Sequence, residues 1–377
     1  MKFKIKRNLL LKHINRANKG IASKSPQYIL RGLYIEVLDD RIRLTGSNQS
    51  LRIETEILAE NNDDLQIESV GTSVVDAKIV TDIIRRMSNE NVTFELIDQK
   101  TVHIFDEDTE FKVQLSFEND YPIVQKGGFE NDFSMSAEVF SDVLRDVLFA
   151  ISKLEIQVVM TGVNLRFERG KIYFIATDSH RLSQRVIDAP EVNSSFSVII
   201  PGSNLNVLLN LLEDETEVKM SVNDSLALFS FADYSFYSRL INEKYPDTDA
   251  VFPKEFNTVV KADTHEWFQA VERAAIISSG NSSNMITFSI DEDNKKIVLS
   301  GVSDKEDSYK EELPFSELTG DNLSVHFNAN FMLDALRAYG EGETTFRFTT
   351  NRGALTLENE NFEDSFMQLV TPIITYD

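Results

Sequence analysis

The chain has no cysteine among its 377 residues. This absence excludes disulfide bonds, zinc sites built on thiolates and cysteine nucleophiles. Apolar runs are also short, and none approaches the ~20 residues that a membrane helix needs. Segment 1–7 alternates apolar and basic residues like an edge strand and lacks the apolar core of a signal peptide. These absences suit a reducing cytosol, so we expect a soluble cytoplasmic protein.

Residues typical of catalytic and metal sites are also sparse. No glycine-rich phosphate loop and no nucleophile elbow occurs. Acidic clusters at 106–108 and 291–293 lie between strand patterns, where solvated hairpin tips are the ordinary interpretation and a divalent-metal site is the alternative. The five histidines show no metal-ligand spacing: His13, His103, His180, His265 and His326. We therefore expect no catalytic residue, no metal site and no cofactor.

Positive charge is scarce overall, since 38 basic residues face 61 acidic ones for a net charge of -23. Phosphate binding depends on lysine and arginine, so this balance argues at first against nucleic acid. The basic residues are concentrated, however, because residues 1–126 hold 18 of them against 20 acidic ones. The first third is therefore nearly neutral, and the acidic excess belongs to the other two.

Three stretches look like copies of one strand-and-loop unit, at 41–48, 171–178 and 296–303. Their starts lie 130 and 125 residues apart, which is close to one third of the chain. We therefore predict three tandem copies of one domain, at 1–126, 127–253 and 254–377.

Each copy opens with apolar residues three or four apart, which predicts a helix, and a second short helical pattern follows. Most of the remainder alternates apolar and polar residues, as in 2–6, 111–115 and 345–348, and predicts half-buried strands. Two helices on one face of a mostly antiparallel sheet make an α+β domain. The patterns of the opening helices are Leu11, Ile14, Ala17 and Ile21; Phe140, Val143, Val147 and Ile151; and Phe268, Val271 and Ala275.

Basic residues recur on the opening helices. In copy one, Lys12 and Arg16 fall on the side away from the apolar stripe, and Lys24 follows in the loop. Arg145 and Lys153 occupy comparable places in copy two. A solvated helix face explains each residue singly, whereas their recurrence on equivalent helices favours a shared polar target.

Copy two departs from the repeat at Thr177-Asp178-Ser179-His180-Arg181-Leu182. Its serine, histidine and aspartate are too close in sequence for a catalytic triad, whose side chains converge from different elements. The plain interpretation is a structural loop in which Asp178 caps backbone amides. The same motif, the Tyr-Pro-Asp segment at 245–247 and the carboxyl-terminal segment 369–373 together resemble the bacterial DNA sliding clamps, the β subunits of DNA polymerase III.

That resemblance covers the whole chain and implies a ring of two subunits joined head to tail around duplex DNA. Such a ring would be a processivity factor without chemistry of its own, with phosphate contacts that read no bases. Lys24 matches a DNA-contact position of the family, and Lys153 occupies the equivalent place in copy two. Lys12, Arg16 and Arg145 are added from helix phase.

By the same matching, the subunit junction would place Phe111 and Val113 of an edge strand against Ile276 and Ile277 of a helix end. Core packing is the alternative for these residues.

The family's second function is to dock the polymerase, the clamp loader and repair proteins through short peptides with apolar anchors. Met160 stands where leucine is expected, Ala250 and Ile374 stand where other members often carry arginine, and Arg352 intrudes near one subsite. The matched pocket positions are Met160, Thr177, His180, Arg181, Leu182, Pro246, Val251, Asn328, Phe331, Leu369, Thr371, Pro372 and Ile373.

Two other classes of protein remain as alternatives. An enzyme of three fused domains would need an active site without any recognisable motif. A three-repeat protein-interaction scaffold that does not encircle DNA is harder to exclude from the residues alone.

Overall fold

The computed structural model describes residues 1–22, 27–59, 64–115, 121, 127–190, 192 and 195–375. Four short 3-10 turns lie in these ranges, at Tyr28–Arg31, Val158–Thr161, Asp249–Val251 and Glu363–Ser365. The α-helices of the same ranges are α1 (Arg7–Asn18), α2 (Ala77–Arg86), α3 (Ala137–Leu148), α4 (Gly202–Leu209), α5 (Thr264–Ser278) and α6 (Ala329–Tyr339). Among the described helices, none combines the length and the apolar character needed to cross a membrane.

Short strands make up most of the remaining regular structure, in runs of four to eight residues. In chain order they are β1 (Lys2–Lys6), β2 (Gly32–Val37), β3 (Arg41–Ser47), β4 (Leu51–Leu58), β5 (Leu65–Ser69), β6 (Gly71–Asp76), β7 (Asn91–Ile97), β8 (Thr101–Phe105), β9 (Glu110–Gln114), β10 (Glu130–Ser136), β11 (Gly162–Glu168), β12 (Lys171–Thr177), β13 (Arg181–Asp188), β14 (Phe196–Pro201), β15 (Glu217–Val222), β16 (Leu226–Ser230), β17 (Tyr234–Arg239), β18 (Thr258–Asp263), β19 (Met285–Asp291), β20 (Lys296–Val302), β21 (Ser308–Glu312), β22 (Glu317–Gly320), β23 (Leu323–Asn328), β24 (Glu343–Phe348), β25 (Leu355–Asn359) and β26 (Phe366–Val370).

The chain forms two compact units, and unit 1 combines Met1–Phe140 with Ser203–Leu240. Its sheets follow the orders β5-β1-β7-β8-β9 and β10-β15-β16-β17-β4-β3-β2-β6. The longer sheet is continuous because β4 pairs antiparallel with β17 from the second copy. Ile14 of α1, Ile84 of α2 and Phe94 of β7 lie in one buried cluster, so both helices cover the sheets of this unit.

Unit 2 combines Ser141–Gly202 with Ile241–Asp377. Its sheets follow the orders β14-β11-β12-β13-β26-β25-β24-β18-β22 and β21-β20-β19-β23. The longer one again crosses between copies, because β13 pairs antiparallel with β26. Its core contains the single tryptophan, Trp267, whose ring lies 4.2 Å from that of Phe346 and whose Nε1 donates to the Pro314 carbonyl at 2.8 Å.

Side-chain caps explain where several helices begin. Asp76 accepts a hydrogen bond from the Ile79 amide at the start of α2, and Asp263 accepts one from the Glu266 amide at the start of α5. Both carboxylates satisfy amides that the first turn of a helix leaves without partners. Each cap is also the last residue of a strand, so the chain turns directly from β6 or β18 into a helix.

The predicted α+β fold class is confirmed. Among the described residues, each third of the chain contains two α-helices, and the three strand-and-loop copies correspond to β3, β12 and β20. Within the described ranges, the sheet pairings are antiparallel. The domain boundaries at 126 and 253 stay a prediction.

Candidate functional site

Two leucines from different copies face each other where β13 meets β26. Leu182 lies opposite Leu369 in the antiparallel ladder, and the two are 4% and 5% exposed. They belong to a buried cluster that we call the apolar floor: Val159, Ile175, Leu182, Ile199, Tyr245 and Leu369. Partly buried apolar residues pack against it: Met160, Tyr173, Ile241, Phe252 and Ala354. Removing one more leucine-sized side chain from water against such a surface contributes about 1.5–3 kcal/mol.

The turn between β12 and β13 is closed by its own side chains. Asp178 Oδ1 accepts hydrogen bonds from the amides of His180 and Arg181, each at 3.0 Å. Thr177 Oγ1 donates to the Arg181 carbonyl at 2.7 Å. Ser179 has a φ of 76°, a region that residues other than glycine seldom adopt. The interpretation of Asp178 as an amide cap is therefore confirmed.

Arg181 is a buried charge beneath this turn, 7% exposed. Its Nε lies 3.0 Å from Asp178 Oδ2, its Nη1 lies 2.6 Å from Asp334 Oδ2 of α6, and its Nη2 donates to the Phe149 carbonyl at 2.6 Å. The guanidinium also lies 4.6 Å from the ring centre of Phe331. Because a buried charge is tolerated only when it is paired, Arg181 ties α6 and the end of α3 to β13.

The segment after β26 is anchored at two points. The amide and the Oγ1 of Thr371 both donate to the His180 carbonyl at 2.9 Å. Two residues later, the Ile373 amide donates to the His326 carbonyl at 2.8 Å. Thr371, Pro372 and Ile373 are half-buried, so this anchored segment keeps part of its surface in water.

Met160 and Phe331 join the same site from other elements. Met160 packs against the apolar floor, and its sulfur accepts a hydrogen bond from Ser179 Oγ at 3.1 Å. The Phe331 ring stacks on that of His180, with 6.3 Å between the ring centres. These contacts bring the 3-10 turn before β11 and the start of α6 to the turn after β12.

Three other predicted pocket residues have different surroundings. Pro246 is exposed and follows Tyr245 of the apolar floor. Val251 is 48% exposed and precedes Phe252, which packs on that floor. Asn328 is committed to the fold, because its Oδ1 accepts two amides at the start of α6 and its Nδ2 donates to the Ser283 carbonyl at 2.8 Å. All the predicted pocket residues lie in unit 2.

Sequence reasoning did not assign several residues of this surface to the pocket. Tyr173 of β12 packs on the apolar floor, and the Arg166 guanidinium lies 4.5 Å from its ring centre. Arg166 also forms a bidentate pair with Asp249, at 2.8 and 3.0 Å, and so ties β11 to the 3-10 turn that carries Val251. The alternation of apolar residues along β12 was a usable signal for Tyr173, whereas no local pattern links Arg166 to Asp249.

A second buried ion pair supports β13 on the side of α3. Arg185 Nε lies 3.1 Å from Asp146 Oδ2, and Arg185 also bonds to Ser365 Oγ. Burial raises the pKa of Asp146 to about 7, although Arg185 opposes this shift. The Ser183 hydroxyl donates to the Asp146 carbonyl at 2.6 Å, so two side chains of β13 bind the same residue of α3.

The predicted DNA-facing residues of α1 have unequal surroundings. The Lys12 side chain is 59% exposed and 3.9 Å from Asp233. Arg16 is only 9% exposed, and its guanidinium lies 2.5 Å from Asp233 and 3.7 Å from Glu215. It also lies 4.2 Å from the ring centre of Tyr234. Helix phase thus identified the polar side of α1 but not the second-copy residues that cover Arg16.

The predicted DNA-facing residues of the second copy are exposed. Arg145 keeps 58% exposure and pairs with Asp142 of its own helix at 2.9 Å. Lys153 is also exposed, and its ammonium has no ion pair with any described residue. Lys24 lies outside the described residues.

The predicted interface residues divide between the two units. Phe111 is 36% exposed on β9, which forms one edge of the five-stranded sheet of unit 1, and Val113 is half-buried against the core. In unit 2, Ile276 near the end of α5 is 73% exposed, and Ile277 is half-buried. Ile276 is therefore not a core residue of the single chain.

Across the described residues, no three or more histidine, aspartate or glutamate side chains are grouped so that they could hold a metal ion. The acidic clusters predicted at hairpin tips do lie at turns. Asp106 accepts the amides of Asp108 and Thr109 between β8 and β9, and Asp291 accepts the Asn294 amide between β19 and β20.

Comparisons with known proteins agree along the whole chain. Three family models match in succession, the N-terminal domain of the DNA polymerase III beta subunit over 1–125, the central domain over 134–247 and the C-terminal domain over 249–374. A beta sliding clamp of Staphylococcus aureus is 29% identical over 379 residues, and one of Bacillus subtilis is 28% identical over 381, each with 100% of both chains covered.

A solved structure gives the same result for the fold. The crystal structure of the DNA polymerase sliding clamp from Bacillus subtilis matches with a TM-score of 0.95 and 28% identity, covering all of both chains. The models for the three domains of one family match in order and leave only short stretches of the chain unmatched. The protein is therefore a member of the DNA polymerase III beta subunit family, which includes the beta sliding clamps.

Proposed function

We propose that this chain is the sliding clamp of a bacterial replicative DNA polymerase, in which two copies close into a ring around duplex DNA in the cytoplasm. The ring carries no catalysis of its own and keeps the polymerase on its template. The observation that carries this function is the apolar floor at the β13–β26 junction of a chain that matches all three clamp domains.

Partner proteins dock on the apolar floor through short peptides with apolar anchors. Leu182 and Leu369 supply its centre, Met160 and Val251 its margin, and the segment 371–373 the adjoining edge. Arg181, Asn328 and Phe331 hold the surrounding elements in place through the contacts given above. The polymerase α subunit, the clamp loader and repair proteins share this one surface, so they compete for it.

DNA is held by enclosure, with weak contacts to phosphates. We assign these contacts to Lys12, Lys24, Arg145 and Lys153, because Lys12, Arg145 and Lys153 are exposed and Lys24 matches a contact position of the family. Arg16 shares their helix phase, but its guanidinium is committed to Asp233. Contacts that ignore base identity leave the ring free to slide.

Ring closure uses the open edge of β9 in one copy and the exposed end of α5 in the other. An unpaired strand edge and a 73% exposed isoleucine are both costly surfaces for a monomer. The tandem domains 1–126, 127–253 and 254–377 are the repeating elements of this ring.

Retention on DNA tests the function directly. The dimer, twice 42.9 kDa by light scattering, is loaded by its clamp loader onto nicked circular DNA and onto the same DNA after linearisation. We expect retention on the circle and loss from the linear form. Equal loss from both, or equal retention on both, would contradict encirclement and favour a scaffold or an adhesive DNA-binding protein.

An interface variant separates ring closure from folding. Ile276→Asp places an unpaired charge in the proposed interface and should convert the dimer to a 42.9 kDa monomer that is lost from circles. Ile156→Asp is the matched control, because Ile156 is 85% exposed in the same unit and outside the proposed interface. If the Ile276→Asp variant stays dimeric, the assignment of α5 to the interface is wrong.

A further inference from the structure

A short turn brings an arginine beside the docking surface. The turn 349–354 connects β24 to β25, and Leu355 at the start of β25 faces Val370 of β26. In an antiparallel ladder, residues that precede Leu355 run alongside residues that follow Val370. Ala354, which directly precedes Leu355, packs against the apolar floor, and Arg352 precedes Ala354 by two residues in the same turn.

The turn is tight and presents Arg352 outward. The Arg352 amide donates to Thr350 Oγ1 at 3.2 Å, and the Gly353 amide donates to the Thr350 carbonyl at 3.3 Å. A Cβ at Gly353 would lie 1.8 Å from Thr349 Oγ1, so a larger residue here would have to displace the Thr349 side chain. With its backbone held in this way, Arg352 projects from a fixed point, and its side chain is exposed.

Arg352 differs from the other arginines around this surface because its charge is not used within the fold. Arg166 has Asp249, Arg181 has Asp178 and Asp334, and Arg347 has Glu358 at 3.0 Å. Among the described residues, the guanidinium of Arg352 has no hydrogen bond and no ion pair. In a chain with 61 acidic residues against 38 basic ones, a free guanidinium next to an apolar surface is available to a ligand.

We infer that Arg352 binds a carboxylate on the docked peptide, one or a few residues away from its apolar anchors. This inference rests on the proposed docking function and adds the charge of the preferred partner segment. An acidic peptide fits both features of the surface, because its anchors cover the apolar floor while its carboxylate meets the planar donors of the guanidinium. A nucleic-acid phosphate would satisfy only the arginine.

Matched peptides test the inference. The probes are fluorescein-labelled nonapeptides in which one residue separates a leucine anchor from a phenylalanine anchor. This spacing puts both anchors on one face of an extended chain. One series places a single glutamate at each remaining position, and the second places glutamine there. The dissociation constant of each peptide from the intact dimer is measured by fluorescence anisotropy at 50 and 500 mM salt.

We expect glutamate to tighten binding about three- to fivefold over glutamine at one or two positions, the size of an exposed ion pair, and this ratio to shrink at high salt. Arg352→Gln should bring the ratio to one. Arg169→Gln is the matched control, because Arg169 is an exposed arginine at the β11–β12 turn of the same unit and its loss changes the net charge equally. Arg352→Glu should reverse the ratio, so that the glutamine peptide binds more tightly than the glutamate peptide at the same position.

The outcomes separate the two levels of proposal. If peptides bind and Leu182→Ala weakens them, but the glutamate preference is absent or survives Arg352→Gln, the inference is wrong and docking stands. If no peptide of either series binds, or binding is indifferent to Leu182→Ala and Leu369→Ala, the docking function fails and the inference fails with it. If Arg352→Gln instead shortens retention on circular DNA without changing the ratio of glutamate to glutamine peptide affinity, the inference is wrong and Arg352 binds a DNA phosphate.

Discussion

The β4–β17 junction of unit 1 and the β13–β26 junction of unit 2 begin with turns that share one pattern of amide capping. Asn48 Oδ1 accepts the amides of Ser50 and Leu51, each at 2.8 Å. Asp178 accepts the amides of His180 and Arg181 in the same way, 130 residues later. Both turns lead into the strand that pairs with the neighbouring copy. The acceptor position and the two amides that it binds are thus the same at both junctions, although Ser179 has a positive φ and Gln49, at the equivalent position, does not.

In unit 1, the face of β4 toward the helix α1 carries apolar and hydroxyl side chains, and the opposite face carries charged ones. Along β4, Leu51 and Thr55 share the face toward α1, where Thr55 Oγ1 bonds to His13 Nδ1. The alternate face carries Arg52 and Glu54, which pair at 2.5 Å and are each 5% exposed. That face is therefore charged.

In unit 2 the apolar and polar faces are exchanged. Along β13, Arg181 and Arg185 share the face toward α3, where they bond to the Phe149 carbonyl and to Asp146. The alternate face carries Leu182, which meets Leu369 across the junction. The first copy reads Leu-Arg at these positions, and the second reads Arg-Leu. Because side chains of a strand alternate between its two faces, this exchange moves the leucine to the other face and creates an apolar floor at one junction only. Turns with the same amide-capping pattern therefore do not imply the same chemistry on the strands that follow.

The largest effect is expected at the charged face of unit 1. Arg52→Leu removes the 2.5 Å partner of Glu54 and should lower the free energy of unfolding by about 3–5 kcal/mol, since breaking a buried ion pair leaves the other charge buried without that partner. Denaturant unfolding measures this change. The double variant Arg52→Leu with Glu54→Leu should recover most of the loss, and a double variant no better than the single one would argue against a buried pair.

Peptide affinity should depend on the unit 2 junction alone. Leu182→Ala and Leu369→Ala should each weaken peptide binding about 10- to 100-fold, because the anchors lose apolar contact. Leu51→Ala is the matched control, as it truncates a buried leucine at the corresponding strand of unit 1. It should cost similar stability but leave peptide affinity unchanged. Dissociation of the dimer by either unit 2 variant would reassign these leucines to the core.

The shared turn can be tested by removing its acceptor at each junction. Asp178→Ala deprives two amides and the Arg181 Nε of their acceptor, whereas Asn48→Ala deprives two amides and the Ser50 hydroxyl. We expect losses of about 1–3 kcal/mol in both, with the larger loss in unit 2 because a charged partner is involved. Only Asp178→Ala should weaken peptide binding. Equal effects on peptide affinity would contradict the assignment of the site to unit 2.

The smallest expected effect is on the pH dependence of stability, which should have opposite signs in the two units. Burial raises the pKa of Asp146 to about 7, opposed by Arg185, so its favourable contribution is present at low pH and is lost as pH rises through 7. Burial lowers the pKa of His13 to about 4, so its contribution is present above pH 6.5 and is lost as pH falls toward 4.

Thermal unfolding of the wild type, Asp146→Asn and His13→Gln between pH 5 and 8 measures these contributions as differences. On acidification, the wild type should gain on the order of 1 kcal/mol over Asp146→Asn and lose a similar amount relative to His13→Gln. If the difference in stability between the wild type and each variant changes with pH in the same direction for both variants, one of the two groups is not buried as described.

Local patterns predicted the elements of the fold and part of the site. Helical spacing predicted the opening helices, strand alternation predicted the half-buried strands, and Asp178 was recognised as an amide cap from its place in a loop. Residue spacing did not predict the burial of Arg16, because helix phase says which side is polar and not that Asp233, 217 residues away, covers it. The pair of Arg166 with Asp249, 83 residues apart, was missed for the same reason.

Threefold repetition, the α+β class and family membership follow from the order of residues along the chain, since period, spacing and motif are one-dimensional properties. The family resemblance also named Leu182 and Leu369 for the proposed docking surface. Period and spacing did not, because that surface arises where β13 meets a strand whose Leu369 is 187 positions beyond Leu182. Only strand pairing over that separation brings the two leucines together and leaves Arg352 free beside them. Long-range contacts of this kind leave no periodic trace in a single sequence, and they determine which repeated junction is charged and which is apolar.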